Sequence, residues 1–230
     1  ARIRNEVTAL YDDQPINFGF ASRVDIGESI GSFYGYRVDR LFQTSDFDAN
    51  GNLNDGIATQ PNASAGDIKF SDLNGDGAIN DQDREILGSA QPDFVGGMTN
   101  TLSYKGLELN FFLQFSVGNK ILNNNAVFGE GMNSVFNQTA RTLDRWTPEN
   151  TDTDMPRAVW GDPNGNRRDS DRFVEDGSYM RLKTATLSYN FPQSVYSAIG
   201  LSGLRIYVAG QNLLTFTNYS GFDPEVNTFD

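Results

Sequence analysis

Between residues 107 and 117 the chain alternates. Leu107, Leu109, Phe111, Leu113, Phe115 and Val117 fall on one side, while Glu108, Asn110, Gln114 and Ser116 fall on the other, with Phe112 as the exception. A period of two is the period of a strand, and one apolar face against one polar face is the pattern of a sheet that separates two environments. Residues 97–104 alternate as well, with Met98, Leu102 and Tyr104 opposite Gly97, Thr99, Thr101 and Ser103. Lys105-Gly106 between the two runs has the composition of a tight turn, so the pair predicts a β-hairpin. The chain is therefore expected to be all-β and antiparallel. Periodicity alone leaves open whether the apolar face meets lipid or the core of a soluble sandwich.

Further strands follow. Ala185, Leu187, Tyr189 and Phe191 alternate with Thr184, Thr186, Ser188 and Asn190, and Pro192 stops the run. Residues 193–199 allow at most two helical turns before Gly200. Leu204, Ile206 and Val208 then oppose Arg205, Tyr207 and Gln211 in a strand over 204–213. Nearer the start, 2–10 reads as a strand, 12–15 as a turn, and 18–26 and 27–42 as one strand each. Between these lie polar stretches rich in Asn, Asp and Gly: 43–92, 118–178 and 217–230. Residues 118–173 form a long excursion without a strand of its own. Within it, 134–146 is expected to be helical, because Val135, Thr139, Leu143 and Trp146 fall on one stripe.

Composition narrows the functions. With 18 Lys and Arg against 30 Asp and Glu, the net charge is −12, which argues against a nucleic-acid partner. There is no His and no Cys. That removes serine and cysteine triads, thiolate metal sites and disulfides. The acids form no pair that stands out for glycoside hydrolysis, so no enzyme is expected. No apolar run is long enough for a transmembrane helix. Ala1-Arg-Ile-Arg-Asn5 has no signal-peptide character and reads as a start inside a longer chain.

One loop has the oxygen spacing of a calcium site. Asp72, Asn74 and Asp76 stand at positions one, three and five, and Gly77 at the sharp turn of position six. Ala78 offers its carbonyl at seven, and Asp83 stands at twelve. A hard cation needs six to eight converging oxygens, and this spacing supplies most of them. Asp83 is shorter than the Glu of an EF-hand, and the incoming segment 67–71 looks extended. On the outgoing side a helix of about two turns is expected, with Asn80 as N-cap and Gly88 as C-cap. The alternative is a metal-free Asn/Gly turn. With no paired helices to move, a bound Ca2+ would fasten the loop and not signal. The similar run 46–51 lacks a closing acid and reads as a turn.

Long and short connections alternate, with the long ones at one end. Outer-membrane β-barrels have this asymmetry, together with strands of about 9–11 residues and aromatic girdles. Tyr104, Phe115, Tyr189, Phe191 and Phe216 would suit the girdles.

Four stretches also carry a resemblance. They are residues 66–84 (GDIKFSDLNGDGAINDQDR) followed by 92–97 (PDFVGG), 30–36 (IGSFYGY), 173–183 (FVEDGSYMRLK), and 204–224 with its central GQNL. Taken in chain order, they resemble the C-terminal barrel segment of SusC/RagA-type TonB-dependent outer-membrane transporters of Bacteroidetes. The resemblance implies a partial β-barrel in the outer membrane, with long external loops and short periplasmic turns. It implies import of glycans or peptides energised through TonB, and a SusD-like surface lipoprotein as lid. By it, 72–83 and 118–178 lie outside the cell. The sequence accounts for about five to seven strands, where a closed membrane barrel needs at least about eight. Plug, TonB-interacting segment and last strand are not recognisable. The competing reading is a soluble calcium-stabilised β domain, adhesive or carbohydrate-binding, with Trp146 and Trp160 offered to sugars.

Overall fold

The computed structural model describes residues 5–225. In chain order the strands are β1 (Ile16–Phe18), β2 (Ser22–Val24), β3 (Ser32–Tyr36), β4 (Val38–Leu41), β5 (Ile68–Phe70) and β6 (Arg84–Ser89). Then come β7 (Phe94–Tyr104), β8 (Leu107–Val117), β9 (Lys120–Leu122), β10 (Val174–Asp176), β11 (Tyr179–Asn190) and β12 (Arg205–Thr217). Two short helices, α1 (Asn124–Gly129) and α2 (Gln193–Tyr196), lie in the connections.

The four long strands form one antiparallel sheet, β7-β8-β11-β12, in which each pairs with the next long strand along the chain. This wall is the hairpin and strands that alternation predicts, with β7 starting three residues earlier and β12 ending four later. The turn is tight because Lys105 and Gly106 both take positive φ (46° and 89°), which matches the twist of a hairpin. A Cβ on Gly106 would stand 2.6 Å from the carbonyl oxygen of Asn190, so only glycine fits there.

Register places the side chains. Phe115 faces Gly96 and Met180, Leu113 faces Met98 and Leu182, and Leu109 faces Leu102 and Leu187. On the other side Gln114 faces Gly97 and Arg181, and Asn110 faces Thr101 and Thr186. Bulges at Leu182/Thr184 shift both registers of β11 by one residue, yet the two faces stay separate because each bulged strand regains its alternation beyond the extra residue. Phe94 and Phe115 stack at 5.5 Å at one end of the apolar face, and Tyr189 meets Phe191 edge-on at 4.9 Å at the other. No apolar-face side chain of the wall is buried. The four buried wall residues, Ser116, Tyr179, Arg181 and Ser188, all lie on the polar face.

The apolar core sits in a body built on the loops. Tyr36, Leu41, Ile68, Phe70, Ile79 and Trp146 form one cluster, and Phe33, Ala21 and Val174 another. Around them are the sheet β1-β2-β3-β6 and the pairs β4-β5 and β9-β10. The connections entering β7, leaving β8, entering β11 and leaving β12 all meet the wall at one end; at the other stand the tight turn and the α2 segment.

Several expectations change here. The expected strand 18–26 is a hairpin, because Gly19 and Ala21 take left-handed backbone (φ 61° and 55°) that no strand continues through. The expected strand 27–42 divides between β3, which pairs with β2 and β6, and β4, which pairs with β5. The Asp72–Asp83 loop ends in a single 3-10 turn (Asp81–Asp83) followed directly by β6, not in a two-turn helix. Asn80 is its N-cap as expected, but Gly88 lies inside β6; the edge of β3 satisfies the backbone that a helix would have satisfied internally. Residues 134–146 hold only a 3-10 turn, Ala140–Asp144: Val135 and Leu143 are exposed, so the stripe has nothing to pack against. The excursion 118–173 does carry a strand, β9, which follows β8 after a short break and pairs with β10, just beyond the excursion and before β11. The expected strand 2–10 starts outside the described residues, and its described part is irregular. The expected loop 217–230 also ends outside them.

Candidate functional site at the loop end of the wall

The loop body is locked to itself by polar contacts between distant segments. Asp67 is fully buried. Its Oδ1 accepts from Arg157 Nε (2.7 Å) and Asn166 Nδ2 (2.9 Å), and its Oδ2 from Arg157 Nη2 (3.0 Å) and the Ser64 backbone N–H (2.9 Å). Buried Gln60, Asn164 and Asn166 extend this network to the backbone of β5. A carboxylate with no solvent needs this many donors, because an unpaired charge is costly to bury. Arg40 and the Gln43 N–H do the same for Asp46 and hold its carboxyl below the usual range. Cations and rings stack along the body: Arg23 and Arg84 both lie over Tyr34, and Arg168 lies over Tyr36 and Phe70.

The residues expected to hold a metal fall into two groups. Asp72, Asn74, Asp76 and Ala78 surround the exposed turn. Asp72 accepts the N–H groups of Gly75 (2.7 Å) and Gly77 (2.9 Å), and Asn74 Oδ1 that of Asp76 (2.9 Å). Asp76 accepts the Ala78 N–H (2.9 Å) and the side-chain amides of Asn74 and Asn80 (3.0 and 3.1 Å); the Asn74 amide is the main cause of its lowered pKa. Asp83 is set apart. It is fully buried, and its two oxygens accept the N–H groups of Leu73 (2.9 Å) and Asn80 (2.8 Å), which ties the two ends of the loop together. No three acidic side chains among the described residues converge tightly enough to hold an ion. The Ala78 carbonyl accepts from the Asn80 side-chain amide (3.0 Å), and Asp72, like Asp83, has both oxygens on backbone N–H groups. The 46–51 run is a turn as expected, with Asp48 accepting from Asn50 and Asn52.

Of the two tryptophans, Trp146 is core: it packs across Gly66 and its indole N–H reaches Gln43 (3.3 Å). Trp160 is exposed. The polar face of the wall carries its own bonds, Asn110 to Thr101 (2.7 Å), Gln114 to the Tyr179 hydroxyl (2.9 Å), and Arg205 to Glu108 and Ser188 (3.1 and 2.8 Å). Phe112, the exception in the alternation, has its place here: its ring lies over Gly97, where a Cβ would come within 2.5 Å. Sequence reasoning missed Asp67 and its partners. Its signal was weak: a carboxylate directly preceding the Ile68-Lys-Phe70 strand, with the partner arginine 90 residues away.

A single-layer sheet with an uncovered apolar face, a bonded polar face, aromatics at both ends and a loop body at one end defines the class: it is part of a β-barrel wall. Comparisons with known proteins give the family. No family model matches the chain. It is 44% identical over 203 residues to TonB-dependent receptor P3 of Formosa agariphila, covering 87% of this chain and 19% of that one. It is 28% identical over 162 residues to TonB-dependent receptor SusC of Bacteroides thetaiotaomicron, covering 69% of this chain and 15% of SusC. The RagAB peptide transporter structure matches with a TM-score of 0.62 at 25% identity, over 89% of this chain and 21% of that one. The open-open state of the RagAB peptide importer matches with a TM-score of 0.67 at 24% identity, over 95% of this chain and 22% of that one. The chain belongs to the SusC/RagA-type TonB-dependent receptors, as a barrel segment that spans about a fifth of the relatives it matches.

Proposed function

We propose that this segment forms part of the barrel wall and loops of an outer-membrane transporter that imports glycans or peptides. The observation that carries the reading is the wall itself. Its apolar face has no covering layer, and its polar face holds all its buried residues. Such a sheet is stable only where lipid covers one side and polar protein or a water-filled lumen the other. The competing reading, a soluble calcium-stabilised domain, would leave the apolar ladder of Phe111, Leu113 and Phe115 in water. TonB, acting on parts of the parent protein beyond this segment, would supply the energy, and a SusD-like lipoprotein would close the loop end. The relatives' names support the transporter class, and the named RagAB importer carries peptides. The loop at Asp72, Asn74, Asp76 and Ala78 would take a Ca2+ ion on its outer rim, with Asp83 fastening its base. Deleting the parent gene and measuring uptake of labelled oligosaccharides and peptides tests the proposal. Loss of uptake of one class is expected; unchanged uptake of both overturns it.

A further inference from the structure

Among the described residues of the wall, Arg181 alone is both charged and buried. It lies on the polar face, third in β11, opposite Gln114 and Thr215. Its two carboxylate partners come from the segment that follows β12. Nη1 donates to Glu225 Oε2 (2.7 Å) and Nη2 to Asp223 Oδ1 (2.5 Å), while Nε donates to Thr215 Oγ1 (2.9 Å). Glu225 is gripped twice more, by Lys183 Nζ (2.6 Å) and Gln114 Nε2 (3.2 Å). Asp223 also accepts the Glu225 N–H (2.8 Å), which sets the turn across Pro224. The near end of the segment is pinned separately: Ser220 donates both its N–H and its hydroxyl to Glu175 (2.7 Å each) and accepts from Asn123 Nδ2 (2.9 Å).

The chain leaving β12 therefore does not run on past the rim. It turns back so that its carboxylates meet a guanidinium two residues inside the strand end, on the polar face. We propose that residues 218–225 are a strap folded inward over the polar face of the wall, with Arg181 as its positioning residue and Lys183 as its second anchor. A guanidinium with 5% of its side chain exposed must keep its countercharge, and its planar fork sets two carboxylates at once, which a mobile loop could not sustain. Two of the stretches that carry the family resemblance, 173–183 and 204–224, are in this reading the two halves of one device. In the proposed transporter the strap narrows the lumen at the loop end, and that consequence rests on the transport reading. The position of the strap does not.

The test uses the full-length parent in lipid, in a cysteine-free background, with spin labels at Thr186→Cys on the polar face and Phe222→Cys, which is 96% exposed. Dipolar spectroscopy should give one narrow distance distribution. Asp223→Asn with Glu225→Gln should broaden it and move it outward, while heat-modifiable migration shows the barrel still folded. Should that double variant fail to assemble, Glu225→Gln alone leaves Arg181 one carboxylate and should still broaden the distribution. An unchanged distribution in an assembled variant overturns the strap. Uptake is not read in this experiment, so its result stands apart from the transport proposal.

Discussion

Placing an arginine at Phe111 separates the two faces of the wall most sharply. Phe111 is the fifth of eleven residues in β8, with Asn100 and Ala185 as its cross-strand partners. Eleven residues at about 3.4 Å each, tilted about 45°, rise roughly 26 Å, which matches an apolar band of about 25 Å. Phe111 therefore lies near the middle of the band. Arginine at the bilayer midplane costs about 2–4 kcal/mol, so the folding equilibrium constant should fall about 100-fold at a cost near 3 kcal/mol. Asn110 is one residue away on the polar face. Asn110→Arg gives up one hydrogen bond to Thr101 and places its charge toward the lumen, so about 1 kcal/mol or less is expected. The assay is urea titration of the full-length parent folding into liposomes, read by heat-modifiable migration. Equal shifts for the two variants, or a larger one for Asn110→Arg, would refute the assignment of faces.

Three other outcomes follow from the loop body. Asp67→Ala leaves Arg157 facing a buried void; removing one partner of a buried pair costs about 3–5 kcal/mol, and the 28% exposure of the Arg157 side chain puts the figure at the low end. Amide exchange at Ile68, whose N–H Asn166 holds, should then quicken by about 100-fold, and Arg157→Met added to Asp67→Ala should cost little more. For pH, Asp46 has a lowered folded-state pKa because Arg40 and the Gln43 N–H hold its ionised form, so its contribution is complete above the ordinary value of about 3.9 and is lost as pH falls through the lowered value. Exchange at Gln43, corrected for its intrinsic pH dependence, should rise in acid in the wild type, and Asp46→Asn should lose that acid limb. If the Asp72 loop holds a cation, Asp76→Ala lowers thermal stability more in calcium than in chelator, where only its three turn hydrogen bonds are lost; equal loss in both conditions means Asp76 serves only the turn.

What was legible in the sequence was what is local. The alternation of β8 gave the faces, down to Phe112 as the exception, because strand period is a property of neighbours. Asn80 was readable as a cap for the same reason. The helix expected after it was not formed, because the open edge of β3 competed for the backbone of residues 84–89, and nothing within those residues announces an edge 50 positions earlier. The stripe ending at Trp146 failed differently: Trp146 found the pocket over Gly66, while Val135 and Leu143 found nothing.

The sequence by itself determined the wall: four runs of period two, a left-handed Lys-Gly turn, and glycines set where rings cross. These follow from backbone sterics and side-chain spacing, which need no partner. Only the tertiary structure decided what each carboxylate does. Asp67, Asp83 and Asp223 are the same side chain, each in a polar loop stretch, with nothing in their immediate neighbours to tell their roles apart. One neutralises an arginine 90 positions on, one closes its own loop from inside, and one reaches back to a buried guanidinium on the wall. A charge takes its role from the donors that folding brings within about 3 Å, and those donors are set by long-range packing.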